Sequence, residues 1–253
     1  MNRNHPKPAG AARVVACGVA LIVALITTGL PGTRGITAQD DDARAVLTNA
    51  AQAMADVTSF HFELTTEGGT TTILEEFELG AVEGDVVRPD RFRAKVTAKF
   101  SIVSLDLDVV GVGDRLWVTD PTSSDGGLIE ISLTDTEGEP LIDLLNPDRL
   151  LLQAVEMVEN PTIAGTEEID GVETTRIEGT FDPSTLDMEI ATPAPVALDL
   201  NPKPVAIWID GEGRVVRLRL EGPLTDVEEP EIVRTLHLSD FDAEVEITPP
   251  AGA

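Results

Sequence analysis

Apolar and polar positions alternate with period two over most of the chain. Phe60, Phe62 and Leu64 alternate with His61 and Glu63, and Phe92, Ala94, Val96, Ala98 and Phe100 with Arg91, Arg93, Lys95, Thr97 and Lys99. Val103, Leu105, Leu107 and Val109 continue the pattern against Ser104, Asp106 and Asp108. Successive side chains of a strand point to opposite faces, so each run predicts a strand with one dry and one wet face. A further strand is predicted from Ile73 to Val82, with Phe77 and Leu79 on one side. Shorter ones follow at Leu116–Val118 and Leu128–Leu133, then near Ile163 and from Glu173 to Phe181. The clearest hairpin joins Val205–Ile209 through Asp210-Gly211-Glu212-Gly213 to a run with Val216, Leu218 and Leu220 on one face and Arg217, Arg219 and Glu221 on the other. Ile232–Phe241 is the last predicted strand.

Two stretches have helical spacing instead. Val46, Leu47, Ala50, Ala53, Met54 and Val57 predict a helix over 43–57, with Asp40–Asp42 as an acidic linker and cap. Asn146-Pro147 opens a second helix with Leu150, Leu151, Ala154, Val155 and Val158 on its apolar face, and Asn160-Pro161 stops it. Segment 182–204 carries Pro183, Pro193, Pro195, Pro202 and Pro204 and reads as a loop or lid, with a short helical turn at Ser184–Ile190. The expected fold is α+β: one domain over 43–247, a large antiparallel sheet with two or three helices gathered on one face, and a tail at 248–253.

Charge narrows the partners. The chain has 45 acidic and 18 basic residues and a net charge of −27, which disfavours nucleic acid and anionic membranes. Arg3, Lys7 and Arg13 precede an apolar run from Val14 to Leu30, so residues 1–38 read as a signal peptide cut after Ala38 or as an uncleaved membrane anchor. Either way the body is expected outside the cytoplasm, secreted or held at the outer face of the membrane. Cys17 is the only cysteine, so no intrachain disulfide forms. Val14-Val15-Ala16-Cys17 has the look of a lipidation box, but a true box follows its apolar region and this one precedes it. A cysteine within a signal helix is the favoured reading, and lipidation at Cys17 the lesser one.

No catalytic template fits: there is no G-x-S-x-G elbow, H-E-x-x-H motif or P-loop. His61 and His237 fall on polar phases of their strands. Asp106/Asp108 and Asp240/Asp242 are i, i+2 pairs with the chemistry of an acid–base couple or a hard-cation site, but alternation on a solvated face also produces such pairs. The basic cluster Arg88, Arg91, Arg93, Lys95 and Lys99 follows Glu75, Glu76, Glu78, Glu83 and Asp85, which predicts a cross-strand charge ladder. No catalytic residue, metal or cofactor is expected.

Several short pieces recur in a known order: Ala53-Met54-Ala55-Asp56-Val57-Thr58-Ser59-Phe60, Arg88-Pro89-Asp90-Arg91-Phe92, Asn146-Pro147-Asp148-Arg149-Leu150-Leu151, Val205 to Leu220, and Leu238-Ser239-Asp240-Phe241. In these the chain resembles the mycobacterial LppX/LprA/LprF/LprG lipoprotein family. The resemblance implies a U-shaped antiparallel half-barrel with helices in its concavity, similar to the carriers LolA and LolB. It also implies a cavity that holds acylated lipids or lipoglycans without catalysis, in a protein expected to be monomeric. The apolar phases would then supply the lining: Phe60, Phe62, Leu64, Phe77, Leu79, Phe92, Val96, Val103, Leu105, Leu107, Leu151, Val155, Ile207, Leu218 and Leu220. The competing expectation is a structural or partner-binding envelope domain in which the same residues form a filled core.

Overall fold

The computed structural model describes residues 38–74, 77–100, 103–120, 127–132, 155, 157–185 and 199–250. Helix α1 (Ala38–Asp56) leads into β1 (Ser59–Glu67), β2 (Thr71–Leu74), β3 (Phe77–Val87), β4 (Arg91–Phe100), β5 (Val103–Val112), β6 (Arg115–Thr119) and β7 (Leu128–Ser132). The second series is β8 (Val158–Ile169), β9 (Val172–Phe181), a 3-10 turn at Pro183–Thr185, β10 (Lys203–Asp210), β11 (Val215–Glu221) and β12 (Val233–Ser239). All pairings are antiparallel, in the order β7-β6-β5-β4-β3-β1-β12-β11-β10-β9-β8, with β2 attached to β3. The sheet is open, because β7 and β8 end the path without pairing to each other.

Helix α1 covers one face, called inner here. Ala43, Leu47, Ala50 and Met54 are buried along its apolar stripe and join the main core with Phe60, Phe62, Val86, Phe92, Val109 and Ile207. The stripe packs against β8, and the Met54 sulfur accepts a hydrogen bond from the backbone N–H of Val215 at 3.3 Å. Arg88 holds the far end of the helix: its guanidinium donates to the carbonyl of Val57 at 2.6 Å and to that of Met54. These carbonyls belong to the last turn and the exit of α1, where intrahelical donors run out.

The sheet has a single seam between its two sequential halves, the β1–β12 pairing, in which Phe62 faces Leu238. Asp242 fastens it from outside the strands, its Oδ1 accepting from the Thr58 N–H at 2.7 Å and the Thr58 hydroxyl at 2.8 Å. The Asp242 N–H in turn donates to the Ser59 carbonyl at 2.8 Å.

Four expectations change. Asp40–Asp42 lie inside α1 rather than in a linker, since acids in a first turn are favoured by the positive end of the helix dipole. The single strand expected over Ile73–Val82 is two, β2 and β3, with a register shift between Leu79 and Val82. Val158, Asn160 and Pro161 belong to β8 rather than to a helix end. Asn160 has φ of 49°, and the β8 register shifts between Glu159 and Thr162, which accommodates the proline in an edge strand. Among the described residues α1 is the one extended α-helix. Val155 is helical, and residues 146–154 and 156 of the second expected helix lie outside the described residues.

Candidate functional site

The strand registers bring the apolar phases onto the inner face as a continuous belt. Leu107, Val96, Val82, Leu64, Leu236, Leu218, Ile207, Ile177 and Ile163 are successive cross-strand partners from β5 to β8. Every member is aliphatic and none titrates. The equivalent row on the outer face runs Asp108, Lys95, Glu83, Glu63, His237, Arg217, Trp208, Arg176. One register therefore sorts an oily belt from a charged one, as antiparallel sheets with one solvated face do.

Burial on the inner face falls off towards the Glu67 end in β1, β3, β5, β11 and β12, whereas Ala98, Val158, Phe181 and Val205 stay buried at that end. At the Ser59 end of the strands, Phe60, Val86, Phe92 and Leu116 are buried beside the last turn of α1. Towards the Glu67 end, Leu64, Leu79, Leu105, Leu107, Leu218, Leu220 and Leu236 are only half-buried, and Val103 is 53% exposed. Of the expected lining residues, Phe60, Phe62, Phe92, Val96, Val155 and Ile207 are buried, and the six leucines Leu64, Leu79, Leu105, Leu107, Leu218 and Leu220 are half-buried. Phe77 is the register partner of Phe100 in the β3–β4 pairing. Leu151 and Cys17 lie outside the described residues.

A cleft of about 360 Å³ runs along one flank of α1. Leu47, Ala51 and Ala55 form an apolar row there with Val155, and Arg44, Thr48 and Gln52 form the parallel polar row one residue round the helix.

Two cations occupy inner-face positions that alternation does not announce. Lys203, at 4% exposure, pairs its Nζ with Asp199 Oδ2 at 2.7 Å. Arg234 is buried against Glu228, whose carboxylate also accepts the Leu224 N–H at 2.7 Å, and Arg234 Nε donates to Thr71 Oγ1 at 2.9 Å. These pairs neutralise the polar margin of the belt at the Glu67 end.

The acidic pairs have structural tasks. Asp242 is the seam fastener, and hydrogen bonds from the Thr58 N–H and then the Thr58 hydroxyl hold its carboxyl below the ordinary aspartate value. Asp106 Oδ1 accepts from Thr97 at 3.2 Å and, with Asp108, Glu63, Glu83 and Lys95, lines an outer-face cleft of about 480 Å³. No group of three potential metal ligands occurs among the described residues. The expected charge ladder forms in part, as Arg93–Asp85 at 2.6 Å and Lys99–Glu78 at 3.2 Å, whereas Arg88 and Arg91 turn to backbone carbonyls. His61 joins that ladder through Asp85, and His237 pairs with Asp170, both at 2.9 Å. Burial pushes the Asp85 carboxyl up, but hydrogen bonds from His61 and Arg93 outweigh it and leave it below the ordinary value. Trp208, on the outer face, is buried between Arg176 and Arg217, and its Nε1 donates to Glu167 at 2.8 Å. Val216 joins this outer cluster rather than the inner row of Leu218 and Leu220, because the β10–β11 register shifts after Trp208.

The comparisons with known proteins agree on one group. Lipoprotein LprA of Mycobacterium tuberculosis is 27% identical over 256 residues, covering 94% of this chain and 97% of its own. A protein of Mycobacterium bovis BCG named as a putative phthiocerol dimycocerosate transporter, LppX, is 29% identical over 198 residues, 73% of each chain. The Mycobacterium tuberculosis protein named as a putative diacylated glycolipid transporter, LprF, is 24% identical over 226 residues, 83% of this chain and 78% of its own. The fold matches the crystal structure of LprF from Mycobacterium bovis with a TM-score of 0.59 at 22% identity, over 84% of this chain and 98% of that one. It matches that of LppX from Mycobacterium tuberculosis with a TM-score of 0.56 at 20% identity, over 83% and 100%. A model of the LppX_LprAFG lipoprotein family matches residues 42–247, and the chain belongs to that family.

Proposed function

We propose that the inner face binds the acyl chains of a lipid or glycolipid, and that the protein carries this ligand through an extracytoplasmic compartment without converting it. The carrying observation is the aliphatic belt from Leu107 to Ile163, continuous across the sheet and half-buried in its leucines and in Val82 and Ile163. Each methylene moved from water onto such a surface contributes about 0.8 kcal/mol. A membrane offers the same gain per methylene, so a carrier on this principle loads and releases near balance. The names carried by LprF and LppX, both as lipid transporters, support the reading.

Native mass spectrometry of the purified protein, with extraction of co-purifying lipid, tests it. Acyl lipid is expected at roughly one per chain, and Leu107→Trp or Leu105→Trp should lower occupancy by about tenfold by filling the half-open part of the belt. A wild-type protein that stays lipid-free after incubation with phospholipid and triacylglycerol sinks the proposal and favours a filled core with a partner-binding role.

A further inference from the structure

Exposed aliphatic side chains are not scattered evenly over the described surface. The five large hydrophobic residues with the greatest exposure are Val103, Ile129, Val172, Leu200 and Val227. The registers put three of them at one end. Val103 pairs with Phe100 at the last position of the β4–β5 register. Val227 lies between β11 and β12 past the Glu221–Val233 pair, and Leu200 lies three residues before β10 begins at Lys203. All three are at the Glu67 end, where the leucines of the belt are half-buried. Val172 is at the other end, where β9 follows β8, and Ile129 lies on edge strand β7 in the cross-strand row of Phe62.

The segments that carry Leu200 and Val227 are stitched together. The Asp199 N–H donates to the Leu224 carbonyl at 2.9 Å, Asp199 holds buried Lys203, and Glu228 holds buried Arg234. Glu229 accepts the Thr70 N–H at 3.0 Å, and Gly68, at φ of 70°, lies so close to Glu231 that an added Cβ would stand 2.3 Å from its carbonyl oxygen. These bonds hold Leu200 at 54% and Val227 at 56% exposure on an ordered margin. Single exposed aliphatics are ordinary, but an ordered set around the open end of an apolar belt marks an interaction surface.

We propose that this end docks on a lipid surface without net charge, so that ligand passes between that surface and the belt. The inference rests on the lipid-carrier reading for its occupant: an acyl chain leaving by the half-open end meets these side chains next. The residues are aliphatic rather than aromatic or arginine, unlike the anchors typical of a protein partner. Exposed Asp226, Glu229 and Glu231 beside Val227 argue against an anionic surface.

The test uses the full chain in a Cys17→Ser background. A polarity-sensitive fluorophore is attached at Val227→Cys or, as the matched control, at Val172→Cys, and phosphatidylcholine vesicles are added. A blue shift at position 227 alone is expected, reduced by mixing in anionic phosphatidylglycerol and restored by salt. Equal shifts at both positions, or none, overturn the proposal. So does a shift that appears without vesicles and grows with protein concentration, which identifies a second copy as the occupant. In parallel, the double variant Leu200→Asp/Val227→Asp should transfer lipid between phosphatidylcholine vesicles roughly tenfold or more slowly while taking up lipid from detergent solution as the wild type does. Unchanged transfer overturns docking with the carrier reading intact. A wild type that takes up no lipid removes the carrier reading, and the fluorophore still decides docking.

Discussion

The guanidinium of Arg88 reaches the carbonyls of Met54 and Val57 and lies 5.8 Å from the centroid of the Phe60 ring. One side chain thus ties the end of α1 to the start of β1. Arg88→Ala leaves two carbonyls without this donor and should cost about 2–3 kcal/mol in urea denaturation. Arg88→Lys should recover only part of it, since an ammonium lacks the planar fork. A full recovery by lysine would show that charge alone matters. Asp242 gives a pH-dependent case. Its carboxyl is held below the value expected in the unfolded chain, so its contribution is complete above that value and fades as pH falls through the lower, folded one. Asp242→Asn keeps a residue that tolerates the observed φ of 58° but not the charge. The gap between wild-type and variant denaturation midpoints should be open at about pH 7 and closed near pH 2. A gap that persists in acid would assign the effect to packing.

At the scale of elements, legibility followed side-chain size. In β4 and β5 apolar residues alternate cleanly with polar or charged ones, and the extent of β4 and the start of β5 could be read directly. In β3 the period is blurred by Gly80, Ala81 and Gly84 and by the register shift after Leu79, so two strands looked like one. The edge strand β8 opens on Asn160-Pro161, a pair that reads locally as a helix stop and is absorbed by a bulge. The phases of the site residues were also legible, because alternation determines them. Their degree of exposure was not, because it depends on where α1 lies over the sheet. Lys203 and Arg234 could not be anticipated on the inner face, since their partners Asp199 and Glu228 come from flanking loops. Glycine placement gives a direct check. A Cβ at Gly84 would stand 2.1 Å from the Arg93 carbonyl oxygen, across the β3–β4 ladder, whereas one at Gly211 meets nothing within 4 Å. Gly84→Ala should destabilise by about 1–3 kcal/mol and Gly211→Ala by less than about 0.5 kcal/mol, read from denaturant midpoints. Equal effects would mean that β3 and β4 do not pack this closely.

For the whole molecule the large term is self-repulsion. A net charge of −27 works against any compact state, and salt screens it. The thermal midpoint should therefore rise between about 20 mM and 0.5 M sodium chloride; a fall would mean that ion pairs such as Arg93–Asp85 outweigh the repulsion. The same charge suits a protein that meets lipid through an apolar margin and otherwise stays apart from anionic surfaces. The β1–β12 seam carries a further consequence, in time rather than in space. Phe62 must find Leu238, so the first strand made waits for the last. Pairing over so long a separation is slow, and until β12 arrives the edge of β1 is bare and open to other chains. A chain delivered N-terminus first would spend that interval half-assembled, with its oily belt uncovered at the middle. Chains cut short before Val233 would stay in that state, as substrates for holding chaperones and proteases rather than as weakened carriers.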